Sequence, residues 1–230
     1  MKIQVAFIII LILPQILFSQ LACEGFFADK PGTITELTHY DKNNSKTGST
    51  VFEVMFQDEN EDGSVSLELL SKSFDKKGEP LLENKIESTC KNGTYFTSVT
   101  GMINEMYPKG SEMEVTISGN MVQYPNNLTA GQKLPDADIK VKTGVEDGLT
   151  LMTVTATFTN RQVEAYEKVT TPAGVFDCAK ISYDYQVNMI FTRTLKGVEY
   201  VAKGVGVVKC ETYDKKGKLI ASTLLTSFQK

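Results

Sequence analysis

The chain is short of the residues that most hydrolytic and redox sites require. It has one histidine, His39, in 230 residues. A Ser-His-Asp arrangement therefore has no second imidazole to draw on, and no G-x-S-x-G elbow presents a serine. Four cysteines, Cys23, Cys90, Cys178 and Cys210, lie far apart with no C-x-x-C, so neither a zinc site nor a thioredoxin-type dithiol is indicated. Lysine and arginine form no basic run that would hold phosphates, and nucleic acid is not expected as a partner. Carboxylates are plentiful, but plenty is not a pair, and nothing in the order of residues singles out two for acid and base work. With none of the usual role-bearing constellations present, the chain reads as non-enzymatic, with no cofactor.

The chain opens on its longest apolar stretch. Lys2 supplies a positive start, residues 3–13 are almost unbroken apolar, and Ser19-Gln20 follow. This is the pattern of a cleavable signal peptide over residues 1–20, too short to span a bilayer that needs about 20 residues. Removing it takes one lysine and no acid, which leaves 23 bases against 28 acids and a net charge of −5. Cys23 offers a second outcome, lipid attachment to a new N-terminal cysteine. Ala22 suits that signal, whereas Gln20 stands where an aliphatic residue is wanted, so a soluble protein is favoured. In an oxidising compartment the four cysteines are disulfide candidates with three possible pairings. Proximity in the chain suggests Cys178 with Cys210 and Cys23 with Cys90.

Residues 21–230 read as a single, mainly β domain. Val65, Leu67 and Leu69 alternate with polar residues, as do Phe52, Val54 and Phe56, Met113, Val115 and Ile117, and Met152, Val154, Ala156 and Phe158. The longest alternation covers residues 179–191, about 43 Å at ~3.3 Å per residue, against a usual strand of 5–6 residues. Such length fits a large curved antiparallel sheet or an open half-barrel. An aromatic-Asp-Lys turn recurs at Tyr40-Asp41-Lys42, Phe74-Asp75-Lys76 and Tyr213-Asp214-Lys215, each followed by Asn or Gly for the left-handed position. Val99, Met102, Ile103 and Met106 fall at helical spacing, which predicts one short helix as a lid or plug.

Two local patterns invite a functional reading. Asp58, Asn60, Asp62 and Gly63 match the first half of a calcium loop, but its twelfth position holds Leu69 and its flanks read as strands. The stretch is thus an acidic hairpin turn, and no metal is expected. The second pattern is apolar. Tyr183 and Tyr185 lie on the inner face of the long strand, and methionine is frequent. A curved sheet lined by these residues and covered by Met102, Ile103 and Met106 would enclose an apolar small molecule or a lipid. A filled core with a helix over it is the plainer alternative.

Residues 170–178 (TTPAGVFDC), 200–209 (YVAKGVGVVK) and the register from Tyr213 to Leu219 resemble the exported TapB-like proteins of Gram-negative bacteria, a family of unknown function. Cys23-Glu24-Gly25-Phe26-Phe27, Pro31-Gly32-Thr33 and Gly131-Gln132-Lys133-Leu134-Pro135 are similar as well. The resemblance implies a periplasmic β fold, distantly like the half-barrels of lipoprotein carriers, and places the protein in the periplasm or on the periplasmic face of a membrane. It supplies no catalytic residues. The expectation is a non-enzymatic periplasmic protein that binds an apolar ligand or, alternatively, a structural or adaptor protein of the envelope acting through protein contacts.

Overall fold

The computed structural model describes residues 25–97, 113–119, 121–145, 150–189 and 191–230. The expected signal peptide, Cys23, and the expected helix with Met102, Ile103 and Met106 lie outside them. The strands are β1 (Ile34–Asp41), β2 (Lys46–Glu59), β3 (Val65–Asp75), β4 (Pro80–Lys91), β5 (Thr94–Thr97), β6 (Met113–Gly119) and β7 (Val122–Pro125). They continue as β8 (Ala137–Val145), β9 (Thr150–Thr171), β10 (Gly174–Asn188), β11 (Thr192–Ala202), β12 (Gly206–Tyr213) and β13 (Leu219–Gln229). All thirteen belong to one sheet, in the order β6-β8-β9-β10-β11-β12-β13-β1-β2-β3-β4-β5-β7. Every neighbouring pair is antiparallel, so the expected curved antiparallel sheet is what the chain forms.

The order of strands dictates the curvature. β6 and β7 are the two outermost strands, yet only two residues separate Gly119 from Val122. Three Cα steps of 3.8 Å span at most about 11 Å. The sheet must therefore curl until its edges approach. Its closure is covalent, through the chain, and not a hydrogen-bonded ladder.

The three repeated turns join β1 to β2, β3 to β4 and β12 to β13. In each, one carboxylate oxygen accepts two backbone amides: Asp41 from Asn43 and Ser45 at 2.8 and 2.9 Å, Asp75 from Lys77 and Glu79 at 2.7 and 2.9 Å, Asp214 from Lys216 and Lys218 at 2.8 and 2.9 Å. Asn44, Gly78 and Gly217 take the positive φ that closes the turn, at 61°, 87° and 76°.

Strand alternation separates two main cores, beside a small cluster of Ile139 and Val154. Val54, Val65, Tyr95, Val163, Ala179, Ile181 and Val201 pack inside the curl. Cys178, Tyr200, Ala202, Val208 and Leu225 form a second cluster, with Val169 near the end of the long β9. Two details differ from the sequence expectation. The long strand begins earlier, at Gly174, and ends at Asn188, so Met189 and Phe191 are exposed at the tip of the β10–β11 hairpin instead of lying inside. A register shift between Val54 and Phe56 breaks the alternation of β2 and turns Phe56 outward.

Candidate functional site

Inside the curl lies a cavity of about 390 Å³. That is room for roughly a dozen waters at ~30 Å³ each. It is no mere packing gap. Leu37, Phe52, Val54, Leu69, Ile86 and Val122 form its apolar wall. Its size and greasy lining, with a few placed polar groups, match the general pattern of small-molecule sites.

One polar row crosses this wall. Glu199 on β11 pairs with Cys210 on β12, Cys210 with Thr223 on β13, and Thr223 with His39 on β1. All four side chains line the cavity. His39 is held at both ring nitrogens, 2.9 Å from the Thr223 hydroxyl and 2.9 Å from that of Thr50. Burial, helped by the Glu199 charge, pushes the Cys210 thiol up to about 12. It therefore stays protonated at neutral pH and is a weak nucleophile.

Glu199 belongs to a buried network. Its carboxylate accepts the Tyr124 hydroxyl at 3.0 and 3.1 Å, and Arg161 Nη2 stands 4.0 Å away. Arg161 Nη1 donates to the carbonyls of Gln123 and Pro135 at 3.2 and 3.0 Å, and the guanidinium lies 5.1 Å from the centre of the Tyr124 ring. Arg161 thus fastens edge strand β7 to β9 across the seam of the curl. A bulge brings it there, for the β9–β10 register shifts around Asn160, whose φ is 54°. Burial raises the Glu199 carboxyl above its ordinary range, with Arg161 and the Tyr124 bond opposing.

Of the expected ligand residues, Tyr183 lines the cavity, its hydroxyl 3.8 Å from Cys210 Sγ. It can lie flat because Gly197 stands opposite on β11, where any β-carbon would strike the ring. Tyr185 stacks on Phe158 at 4.9 Å and is not part of the cavity wall. Residues 25–28, noted in the sequence only for the TapB-like resemblance, reach the site. Phe27 stacks on Tyr95 at 4.5 Å, meets Tyr124 edge-on at 4.9 Å and bridges to Val205. It lines the cavity beside the β11–β12 turn. Phe26-Phe27 ahead of Pro31-Gly32 was the available signal, a hydrophobic pair on a segment too short to be a strand.

The expected Cys178–Cys210 bridge is corrected. Both are free thiols, because Cys178 faces the outer cluster beside Ala202 while Cys210 faces the cavity beside Glu199. Cys90 is buried on β4, and its expected partner Cys23 lies outside the described residues. The acidic stretch is the β2–β3 turn. Asp62 accepts the Ser64 amide and hydroxyl and pairs with Lys91 at 2.7 Å, while the Asn60 amide donates to Ser64 and Ser66. Those bonds engage both carboxylate oxygens of Asp62. Among the described residues no cluster of three or more His, Cys, Asp or Glu has metal-binding geometry.

Residues 30–225 match the DUF3108-like family, and the chain belongs to it. The TapB-like motifs over residues 170–178 and 200–209 fall inside this match, but the family it defines is the DUF3108-like one. Among solved structures, the chain is similar to a protein described as exported, with a YmcC-like fold, from Bacteroides fragilis NCTC 9343. The two share 21% identity over 90% of this chain and 100% of that one, with a TM-score of 0.75. A protein described as a lipoprotein from Parabacteroides distasonis ATCC 8503 shares 24% identity over 90% of this chain and 99% of that one, also at 0.75. These likenesses establish the fold. No curated protein matches the sequence.

Proposed function

We propose that this is an exported, non-enzymatic protein that holds an apolar ligand, a small molecule or a lipid, inside the curled sheet. The observation that carries the reading is the cavity of about 390 Å³, walled by aliphatic and aromatic side chains, Phe27 among them. Export is supported by the signal-peptide pattern and by the description of one structural relative as exported and another as a lipoprotein. The non-enzymatic reading is supported by the Cys210 thiol, which burial keeps protonated and weakly nucleophilic at neutral pH.

Native mass spectrometry of the mature protein, purified without detergent, tests the proposal. An adduct released on unfolding, and lost when Ser71 in the cavity wall is replaced by Phe, supports it. A clean apo mass that no added lipid or apolar probe can shift overturns it and leaves the envelope adaptor. Charged residues at Met102 and Met106 test the lid in the same assay: binding should fall while the fold survives. The intact mass also reads Cys23, since a thiol bridged to Cys90 cannot carry a lipid.

A further inference from the structure

Antiparallel pairing sends every second hairpin to the same end of the sheet. The β12–β13, β1–β2 and β3–β4 turns therefore stand side by side, two strands apart, about 9–10 Å between neighbours. These are the three Asp-Lys turns. Lys42, Lys46, Lys76, Lys77, Lys215, Lys216 and Lys218 are all exposed there. Against them stand Asp41, Asp75, Asp214 and Glu79, so this rim carries a net +3 on a chain whose total is −4. Each of the three aspartates is turned back onto its own amides. The β10–β11 tip lies at the same end, with Met189 and with Phe191 at 80% exposure, the most exposed large apolar side chain among those described. The opposite end bears residues 25–28, Lys203 on the β11–β12 turn, and Glu59, Glu61 and Asp62 of the β2–β3 turn, the last paired with Lys91.

We propose that the lysine rim docks on an anionic phospholipid surface, with Phe191 entering between the headgroups. Basic side chains plus an apolar anchor are the two signals that hold a protein at such a surface. The choice of lysine favours a bilayer over an acidic protein partner. The three turns contain no arginine, the residue suited to forked pairing with individual carboxylates, Arg193 standing apart on the β10–β11 tip beside Phe191, and seven exposed point charges along an arc match a field of many headgroups. This docking is independent of what fills the cavity.

The test is co-sedimentation of the chain expressed from residue 21, which carries no lipid of its own, with vesicles of phosphatidylcholine alone or mixed with phosphatidylglycerol. The expected result is binding to the anionic vesicles only, weakened by salt. At roughly fivefold per lysine, reversing Lys76, Lys77, Lys215 and Lys216 to Glu should lower partitioning by about six hundredfold or more. Phe191→Ser should lower it less, and Glu61→Lys on the far rim should leave it unchanged. All these positions are exposed, so circular dichroism should show an intact sheet in each variant. Failure to bind, equal binding to both vesicles, or binding that survives the fourfold reversal overturns the proposal.

Discussion

The rim carrying residues 25–28 and the rim carrying the lysine turns are made by the same strands, but they are held by different kinds of contact. At the first, side chains distant in sequence converge: Phe27 on Tyr95 and Tyr124, then Tyr124 on Glu199, with Arg161 beside it. At the second, each turn is satisfied within about five residues by its own aspartate. Damage to the first should therefore loosen the whole curl, while damage to the second should stay local.

Arg161→Met should break that contrast most strongly. It leaves Glu199 buried without its cation, and removing one member of a buried pair typically costs about 3–5 kcal/mol. Urea unfolding should show the loss. The double variant Arg161→Met with Glu199→Met should recover most of it, because the isolated charge, and not the missing pair, is what is expensive. A double variant as unstable as the single one would mean that the bonds of Arg161 to the Gln123 and Pro135 carbonyls hold the seam instead. Phe27→Ala should follow, at about 2–3 kcal/mol. Phe27 is half-buried, so the loss falls below the 3–5 kcal/mol of an enclosed phenylalanine. The same variant should shorten ligand residence in the native mass assay.

How legible each rim was in the sequence follows from the same difference. The lysine turns could be read residue by residue, since Asp, Lys and Gly at fixed offsets carry their own geometry, and the alternation in β3, β9 and β10 gave the sheet. Tertiary choices were hidden. Nothing local says that Asn160 adopts a positive φ and swings Arg161 inward, or that Glu199 faces a cavity, since a charged residue in an alternating strand reads as solvent-facing. Cys178 and Cys210 looked like partners because chain proximity carries no information about which face each residue takes. The basic rim was missed because its lysines are spread over three turns separated by up to about 170 residues of sequence, and only the topology brings them together. Tyr183, by contrast, was found from period two alone.

Gly197→Ala is a smaller perturbation within the cavity wall. The new methyl meets the Tyr183 ring directly, and an overpacked site of this kind usually costs about 1–3 kcal/mol. Tyr183→Leu on the same background should relieve part of it. Thermal melts of the two variants would show whether the ring is fixed against β11 or free to rotate into the cavity, in which case the cost falls toward zero.

Acidity separates the two ends with the smallest and most specific signal. Burial raises the Glu199 carboxyl, with Arg161 and Tyr124 opposing, so the folded state holds that proton more tightly than the unfolded chain. Its contribution is therefore present below the ordinary carboxylate pKa and is lost as pH rises through the folded value. Asp75 and Asp214 are lowered, mainly by the backbone amides of Glu79 and Lys218, so their contribution is present at neutral pH and is lost on acidification. Urea midpoints measured against pH should show Glu199→Gln gaining on the parent as pH rises above the ordinary glutamate value. Asp75→Asn should lose ground to the parent as pH rises toward the ordinary aspartate value, and hold level above it. The comparison rests on slopes, since each substitution also shifts the baseline. Parallel slopes for Glu199→Gln and the parent would mean that Arg161 fully offsets the burial of Glu199, making the pair electrically silent.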